Sequence, residues 1–325
     1  MPHFFYYLNL YKSYNTLMSI FSNFLKKIDQ PKRIISFDGG GVRVIAGIVF
    51  LRKLEIESGR KISDIFDMFI GTSAGAFNAS CFAVNAMTVN ELKTYWSKDY
   101  LEKIMQTSFF WDQASLIQAR PRYESKGRID MLKEIFGEKE LGDSSKPLIT
   151  LCYDVEKRSH VIHTSFLTPK VSLVDAISAS SAAPMYFPTY QMKNGSWMID
   201  GSIVTNNPTL IGFNHAKKYF ESDNIKVLSI GAGINKNKIK GESSSKWGGV
   251  GWLRNDIIGM MLDSEIHHNI ADDVINKNYL RINSSLGKIN KMLDDDSEEN
   301  LEKIHLMGLH WWEEFGETAL KFIED

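Results

Sequence analysis

The sequence predicts an α/β domain of three layers, with helices covering both faces of a mainly parallel central sheet. Three observations carry that expectation. Two units of apolar strand, glycine turn and apolar helix follow one another early in the chain, at residues 33–54 and 65–84, an order that sets successive strands side by side in parallel. Further strand-like runs follow, Ile225 to Ile230 ending at Gly231 and a short one at Tyr279 to Ile282. A chain of 325 residues that is 43% hydrophobic also has enough apolar surface for one large domain or two smaller ones.

Residues 1–32 read as an N-terminal extension. Leu17, Phe21, Phe24, Leu25 and Ile28 recur at helical period with Lys26 and Lys27 near the end, the pattern of an amphipathic helix that lies on a membrane surface or packs on the domain. The aromatic run from Phe4 to Leu10 is not read as a signal sequence, because Asn9 and Lys12 break it and no small-residue cleavage site follows. No stretch approaches the roughly 18 apolar residues that span a bilayer.

The core is expected at 33–235. Arg33 to Phe37 is a strand, Asp38 to Arg43 a glycine turn, and Val44 to Leu54 a helix. Ile65 to Ile70 is the next strand, Gly71 to Gly75 a sharp turn, and Ala76 to Val84 a helix of small residues. Residues 88–143 turn helical and irregular, with Trp96, Phe109, Phe110 and Trp111 among charges, as in a cap-like insertion. Pro147 to Tyr153 and His160 to Thr164 are strands joined by a charged turn. The helix from Leu173 to Ala182 carries a run of Ala and Ser that permits close approach to a neighbour, and Pro184 stops it. Trp197 to Ile199 is a short strand leading into Asp200-Gly201. Residues 236–325 supply a polar loop, the strand Tyr279 to Ile282 and an amphipathic helix from Glu298 to Phe322, all packing on the core.

With 38 basic against 39 acidic residues, no global field favours nucleic acid, so attraction to a lipid surface must be local. Cys81 and Cys152 sit inside apolar runs, as buried thiols in a reducing, cytoplasmic compartment do. His160 and His163 fall on opposite faces of one strand, and His267-His268 sit in a polar helical setting, so neither pair reads as a metal site. No metal and no cofactor are expected.

The chemistry concentrates in two glycine turns. Gly71-Thr72-Ser73-Ala74-Gly75 has the G-x-S-x-G pattern, in which glycines let a serine sit at a strained strand-to-helix turn, facing the positive end of the following helix. Asp38-Gly39-Gly40-Gly41-Val42-Arg43 fits neither nucleotide fingerprint. Its exposed N–H groups instead suit a transient oxyanion formed when Ser73 attacks an ester, chiefly through Gly40 and Gly41, and Arg43 is expected to meet a lipid phosphate.

Taken together, the glycine-rich loop, the serine elbow and the later Asp200-Gly201 resemble the patatin-like phospholipase family, and they occur in that family's order. The stretches Ala176 to Pro188, Asn206-Asn207-Pro208, Leu228 to Gly233, Tyr279 to Ile282 and Leu293-Asp294-Asp295 are similar to it as well. The resemblance implies a Ser-Asp dyad of Ser73 and Asp200, an oxyanion hole at Gly39, Gly40 and Gly41, and a peripheral membrane enzyme that cleaves acyl esters of phospholipids. Two positions depart from the family's pattern: Val44 stands where a small residue is usual and narrows the loop's geometry, and Ser202 offers Asp200 a competing hydroxyl. Two other readings fit the same residues. One is a Ser-His-Asp esterase of small esters, since His215, His267, His268, His305 and His310 follow both Ser73 and Asp200, and the other is a catalytically silent lipid-binding protein.

Overall fold

The computed structural model describes residues 30–107, 120–255, 257–263 and 265–324. The expected amphipathic helix at 16–28 and the aromatic residues Phe109, Phe110 and Trp111 lie outside them. Along the chain, β1 (Lys32–Phe37) passes through a 3₁₀ turn at Gly41–Val44 into α1 (Ile45–Ser58), and β2 (Met68–Thr72) leads directly to α2 (Ala74–Asn85). After α3 (Lys126–Phe136) come β3 (Leu148–Asp154), β4 (Ser159–Thr164), α4 (Leu173–Ser180), β5 (Tyr190–Gln191) and β6 (Trp197–Asp200). The chain closes with α5 (Thr209–Phe220), β7 (Ile225–Ile230), α6 (Ile266–Ile275), β8 (Tyr279–Ile282) and α7 (Glu298–Glu324).

The strands form one eight-stranded sheet in which β3, β2, β1, β7 and β8 are neighbours in that order and parallel throughout. β2 is buried at every residue, as the unbroken apolar run of a strand covered on both faces requires. One apolar layer packs α1, α2, α4 and α7 against one face around Phe50, Phe69, Phe82 and Trp311. The other face carries a smaller layer that joins Ile34, Ile70 and Val227 to residues of α5 and α6. The three-layer α/β/α architecture is therefore as expected. The segment between α2 and β3 contributes Leu92, Leu101, Met131, Leu132 and Phe136 to the larger layer.

Three local differences from the sequence reading have physical causes. β2 begins at Met68 rather than Ile65, because the N–H groups of Asp64, Ile65 and Phe66 bond back to Lys61 and Ile62 and close a helical turn. Asp67 then exchanges hydrogen bonds with Arg33 and sets the register Ile34↔Met68, which carries Gly71 and Thr72 into the sheet. α4 stops at Ser180, short of Ala182. α5 escaped the reading, since its buried residues, Thr209, Gly212 and Ala216, are small or polar and leave little apolar periodicity.

The site is positioned by the two edges of β3. β4 occupies one edge from Ile149 to Asp154. The other edge is divided: β2 pairs with Leu148 to Leu151 and β6 pairs antiparallel with Cys152 to Asp154. The C-terminal ends of β2 and β6 therefore meet head to head, Thr72 opposite Leu151 and Asp200 opposite Cys152.

His163 on β4 is buried, and neither ring nitrogen has a hydrogen-bond partner among the described residues. Burial depresses its pKa to about 4, so the fold holds it neutral. An unfolded histidine titrates near 6.5, so the stability due to the neutral ring is complete above that pH and is lost as pH falls toward 4, by up to ~3 kcal/mol. His163→Leu is expected to flatten this part of the stability-versus-pH curve, measured by urea unfolding between pH 7 and 4; a wild-type slope in the variant would contradict it.

Candidate active site

Ser73 sits at the junction of β2 and α2 with φ 56° and ψ −127°, a conformation that side-chain-bearing residues rarely hold unless the surroundings enforce it. Here the surroundings are backbone. A Cβ on Gly71 would lie 2.2 Å from the Gly75 carbonyl oxygen, and one on Gly75 would lie 2.5 Å from the carbonyl oxygens of Phe37 and Asp38. Both glycines are thus required by close approach, and the elbow is wedged against the end of β1. The Ser73 N–H donates to Ser180 Oγ at 3.0 Å, which ties the turn to α4.

Asp200 ends β6 and is 2% exposed. Ser73 Oγ donates to its Oδ2 at 2.5 Å, and the Ser202 N–H donates to its Oδ1 at 2.8 Å. Its own N–H donates to the Ala182 carbonyl at 3.1 Å. Burial raises the Asp200 carboxyl above the ordinary carboxylate range, and the hydrogen bonds from Ser73 and Ser202, with the Arg128 charge, pull the other way. Gly201 follows because a side chain there would strike the Leu151 carbonyl. The Ser202 hydroxyl is placed to donate to Asn206 Oδ1 at 3.2 Å.

The glycine loop lies over the serine. A Cβ on Gly39 would come within 3.1 Å of Ser73 Cβ and 2.5 Å of Asn206 Oδ1. Of the three glycines expected to bind an oxyanion, Gly39 needs correction: its N–H is committed to the Asn206 carbonyl at 3.1 Å. The N–H groups of Gly40 and Gly41 make no hydrogen bond to a described residue. Val44 is accommodated, buried at the start of α1.

Arg43 also departs from expectation. It is 2% exposed, its Nη2 pairs with Asp263 Oδ1 at 3.2 Å, and it does not line the cleft in front of Ser73. Arg43 therefore braces the loop from outside the cleft, through Asp263. A second brace is Arg281 on β8, which donates from both terminal nitrogens to the Asp38 carboxylate and from Nη1 to Ser229 Oγ at 2.7 Å.

Ser73 opens into a cleft of about 810 Å³ lined mainly by apolar side chains, including Phe77, Trp96, Leu101, Ile104, Met131 and Ile177. Arg128, Tyr123 and Asp294 are among its polar lining residues, and none of the described lining residues is a histidine. The reading of sequence missed Arg128, Asn206 and Arg281 as contributors. Asn206 and Arg281 lay within stretches noted for resemblance, without a role attached to either, and Arg128 gave no signal because a lone arginine near a helix start normally faces solvent.

Breaking a buried ion pair from one side strands a charge, whereas removing both partners does not. Arg281→Met is therefore expected to lower stability by about 3–5 kcal/mol, and the double variant Asp38→Asn with Arg281→Met to recover most of that loss in denaturant unfolding. A double variant as unstable as the single one would refute the pair as a brace of the loop.

The family model described as patatin-like phospholipase matches residues 35–212. Patatin-like protein 4 of Arabidopsis thaliana is 30% identical over 329 residues, covering 85% of this chain and 82% of the relative. Patatin-04/09 of Solanum tuberosum is 24% identical, with 94% of this chain and 88% of the relative covered. Among solved structures, VipD from Legionella pneumophila superposes with a TM-score of 0.51 at 14% identity, over 87% of this chain and 67% of that one, a likeness of fold. The match spans both glycine turns and the strands β2 to β6, and the chain belongs to the patatin-like phospholipase family, which makes it a lipid acyl hydrolase.

Proposed function

We propose that this chain cleaves fatty acyl esters of glycerophospholipids through a Ser73–Asp200 dyad, releasing a fatty acid and a lysolipid. The observation that carries the reading is the 2.5 Å hydrogen bond from Ser73 Oγ to Asp200 Oδ2 at the end of an apolar cleft. Asp200 takes the hydroxyl proton as Oγ attacks the ester carbonyl carbon, and the raised basicity that burial gives the carboxylate favours this transfer. The tetrahedral oxyanion is received by the N–H groups of Gly40 and Gly41. Collapse breaks the ester C–O bond, and Asp200 returns the proton to the departing alkoxide of the lysolipid. Water then attacks the acyl-serine, gives its proton to Asp200, and the fatty acid leaves as Ser73 recovers its hydrogen.

The apolar lining suits an acyl chain. Access from a membrane is supported by Met185 and Met292, which are 38% and 39% exposed and immediately precede the cleft-lining residues Tyr186 and Leu293. Flexible, apolar methionines beside the opening favour shallow contact with lipid. Peripheral association of a cytoplasmic enzyme is accordingly part of the proposal. Among the described residues no helix is long and apolar enough to cross a membrane.

Ser73→Ala and Asp200→Asn are each expected to lower fatty-acid release from phosphatidylcholine vesicles by about 10²–10⁴, with the double variant scarcely worse, because residues acting as one unit are not additive. Turnover should rise with pH through a limb above the ordinary carboxylate range, since only ionised Asp200 accepts the proton. Alanine replacement of each histidine tests the rival triad: one folded, inactive histidine variant would overturn the dyad.

Met185→Glu with Met292→Glu is expected to reduce vesicle hydrolysis about tenfold more than hydrolysis of a soluble short-chain ester. Equal losses on both substrates would remove the case for a membrane-facing rim.

A further inference from the structure

The residues at the end of α4 hold both members of the dyad. Ser180 Oγ accepts the Ser73 N–H at 3.0 Å, and the Ala182 carbonyl accepts the Asp200 N–H at 3.1 Å. Between them, Ser181 is held by Arg128, whose Nη1 donates to the Ser181 carbonyl and, at 3.0 Å, to Ser181 Oγ. Arg128 comes from α3, on a segment far from α4 in sequence, and is 4% exposed. Its guanidinium also lies over the Phe187 ring at 4.3 Å.

The placement has an electrostatic reason. A helix ends with carbonyl groups that lack intrahelical partners and with a partial negative charge. α4 aims that end at the place where Asp200 must be a carboxylate, an unfavourable neighbour for an anion. Arg128 satisfies one of the terminal carbonyls and places a positive charge there. Among the described groups acting on Asp200, Arg128 is the cation. Ser73 and Ser202 donate neutral hydrogen bonds, and Cys152 on β3 is pushed by burial to about 12 and stays a neutral thiol. Tyr190 on β5, raised by burial and by its hydrogen bond to Asp175, is neutral too.

We propose that Arg128 is a positioning residue of the reaction: by capping the C-terminal end of α4 it fixes the Ser180–Ala182 segment that holds Ser73 and Asp200. This rests on the Ser73–Asp200 reading of the site. Burial already raises the Asp200 pKa and Arg128 opposes the rise, so loss of the charge must move the acid limb of activity upward.

The test compares Arg128→Met, Arg128→Lys and Ser180→Ala in the full chain, with circular dichroism to verify folding. Steady-state hydrolysis of a neutral, medium-chain nitrophenyl ester and the rate of Ser73 labelling by a fluorophosphonate are followed from pH 5 to 9. Arg128→Met is expected to lower kcat about tenfold or more, with little change in KM, and to shift the acid limb up by about one pH unit in both measurements. Arg128→Lys keeps the charge and loses the planar guanidinium whose Nη1 reaches both Ser181 acceptors, so its limb stays at the wild-type position while kcat falls. Ser180→Ala removes only the acceptor of the Ser73 N–H and should lower kcat with the limb unmoved. A folded Arg128→Met with wild-type kcat and limb overturns the proposal, as does a rise confined to KM, which would make Arg128 a substrate-binding group. If Arg128→Met does not fold, Arg128→Lys decides: wild-type kcat overturns the proposal, and reduced kcat with an unmoved limb supports it. Failure of the dyad itself is seen separately, as retained activity in Ser73→Ala.

Discussion

The arrangement around Ser73 depends on a division of one strand edge. β3 is longer than β2, and β6 fills the remaining length from the opposite direction, so two C-terminal ends meet where the ladder changes partner. Side chains placed at those ends converge without either strand bending. This explains how a serine and an aspartate separated by more than a hundred residues come within hydrogen-bond distance. It also explains why the serine must be strained: the chain has to leave β2 and enter α2 at once, before it meets the end of β6.

Around that junction the structure uses polar groups as braces and apolar groups as walls. Arg281 holds Asp38 from the β8 side, Arg43 anchors the loop's 3₁₀ turn to Asp263, and Arg128 caps α4. Each is largely buried, and in a low-dielectric setting an unpartnered arginine is costly, so each pairing constrains geometry strongly. The cleft is lined mainly by apolar side chains, and the Ser73 hydroxyl finds its partner in Asp200.

The corrections at Arg43 and Gly39 share a cause. Both residues were read from a linear motif that specifies which side chains and N–H groups are nearby, but not which way each points. Asn206, more than a hundred positions downstream, takes the Gly39 N–H, and Asp263, later still, draws Arg43 away from the cleft. Neither partner is implied by the loop. Asn206 belongs to a stretch whose resemblance was visible, yet its role depends on contact with a loop from the other end of the fold.

The sequence by itself determined what local chemistry controls. Unbroken apolar strands called for a sheet covered on both faces, and the glycines of 71–75 marked a turn where backbone approaches backbone. Such patterns survive in one dimension because a run of side chains or a missing Cβ acts on its immediate neighbours. The helix at Thr209–Phe220, whose fully buried residues are Thr209, Gly212 and Ala216, left no such pattern. Only the tertiary structure decided which groups face one another: that Asp200 meets Ser73, that Gly39 is already bonded, and that Arg128 lies buried against Ser181. These depend on strand register and helix placement, which are set by the packing of the whole sheet and its two layers and are written in no single segment.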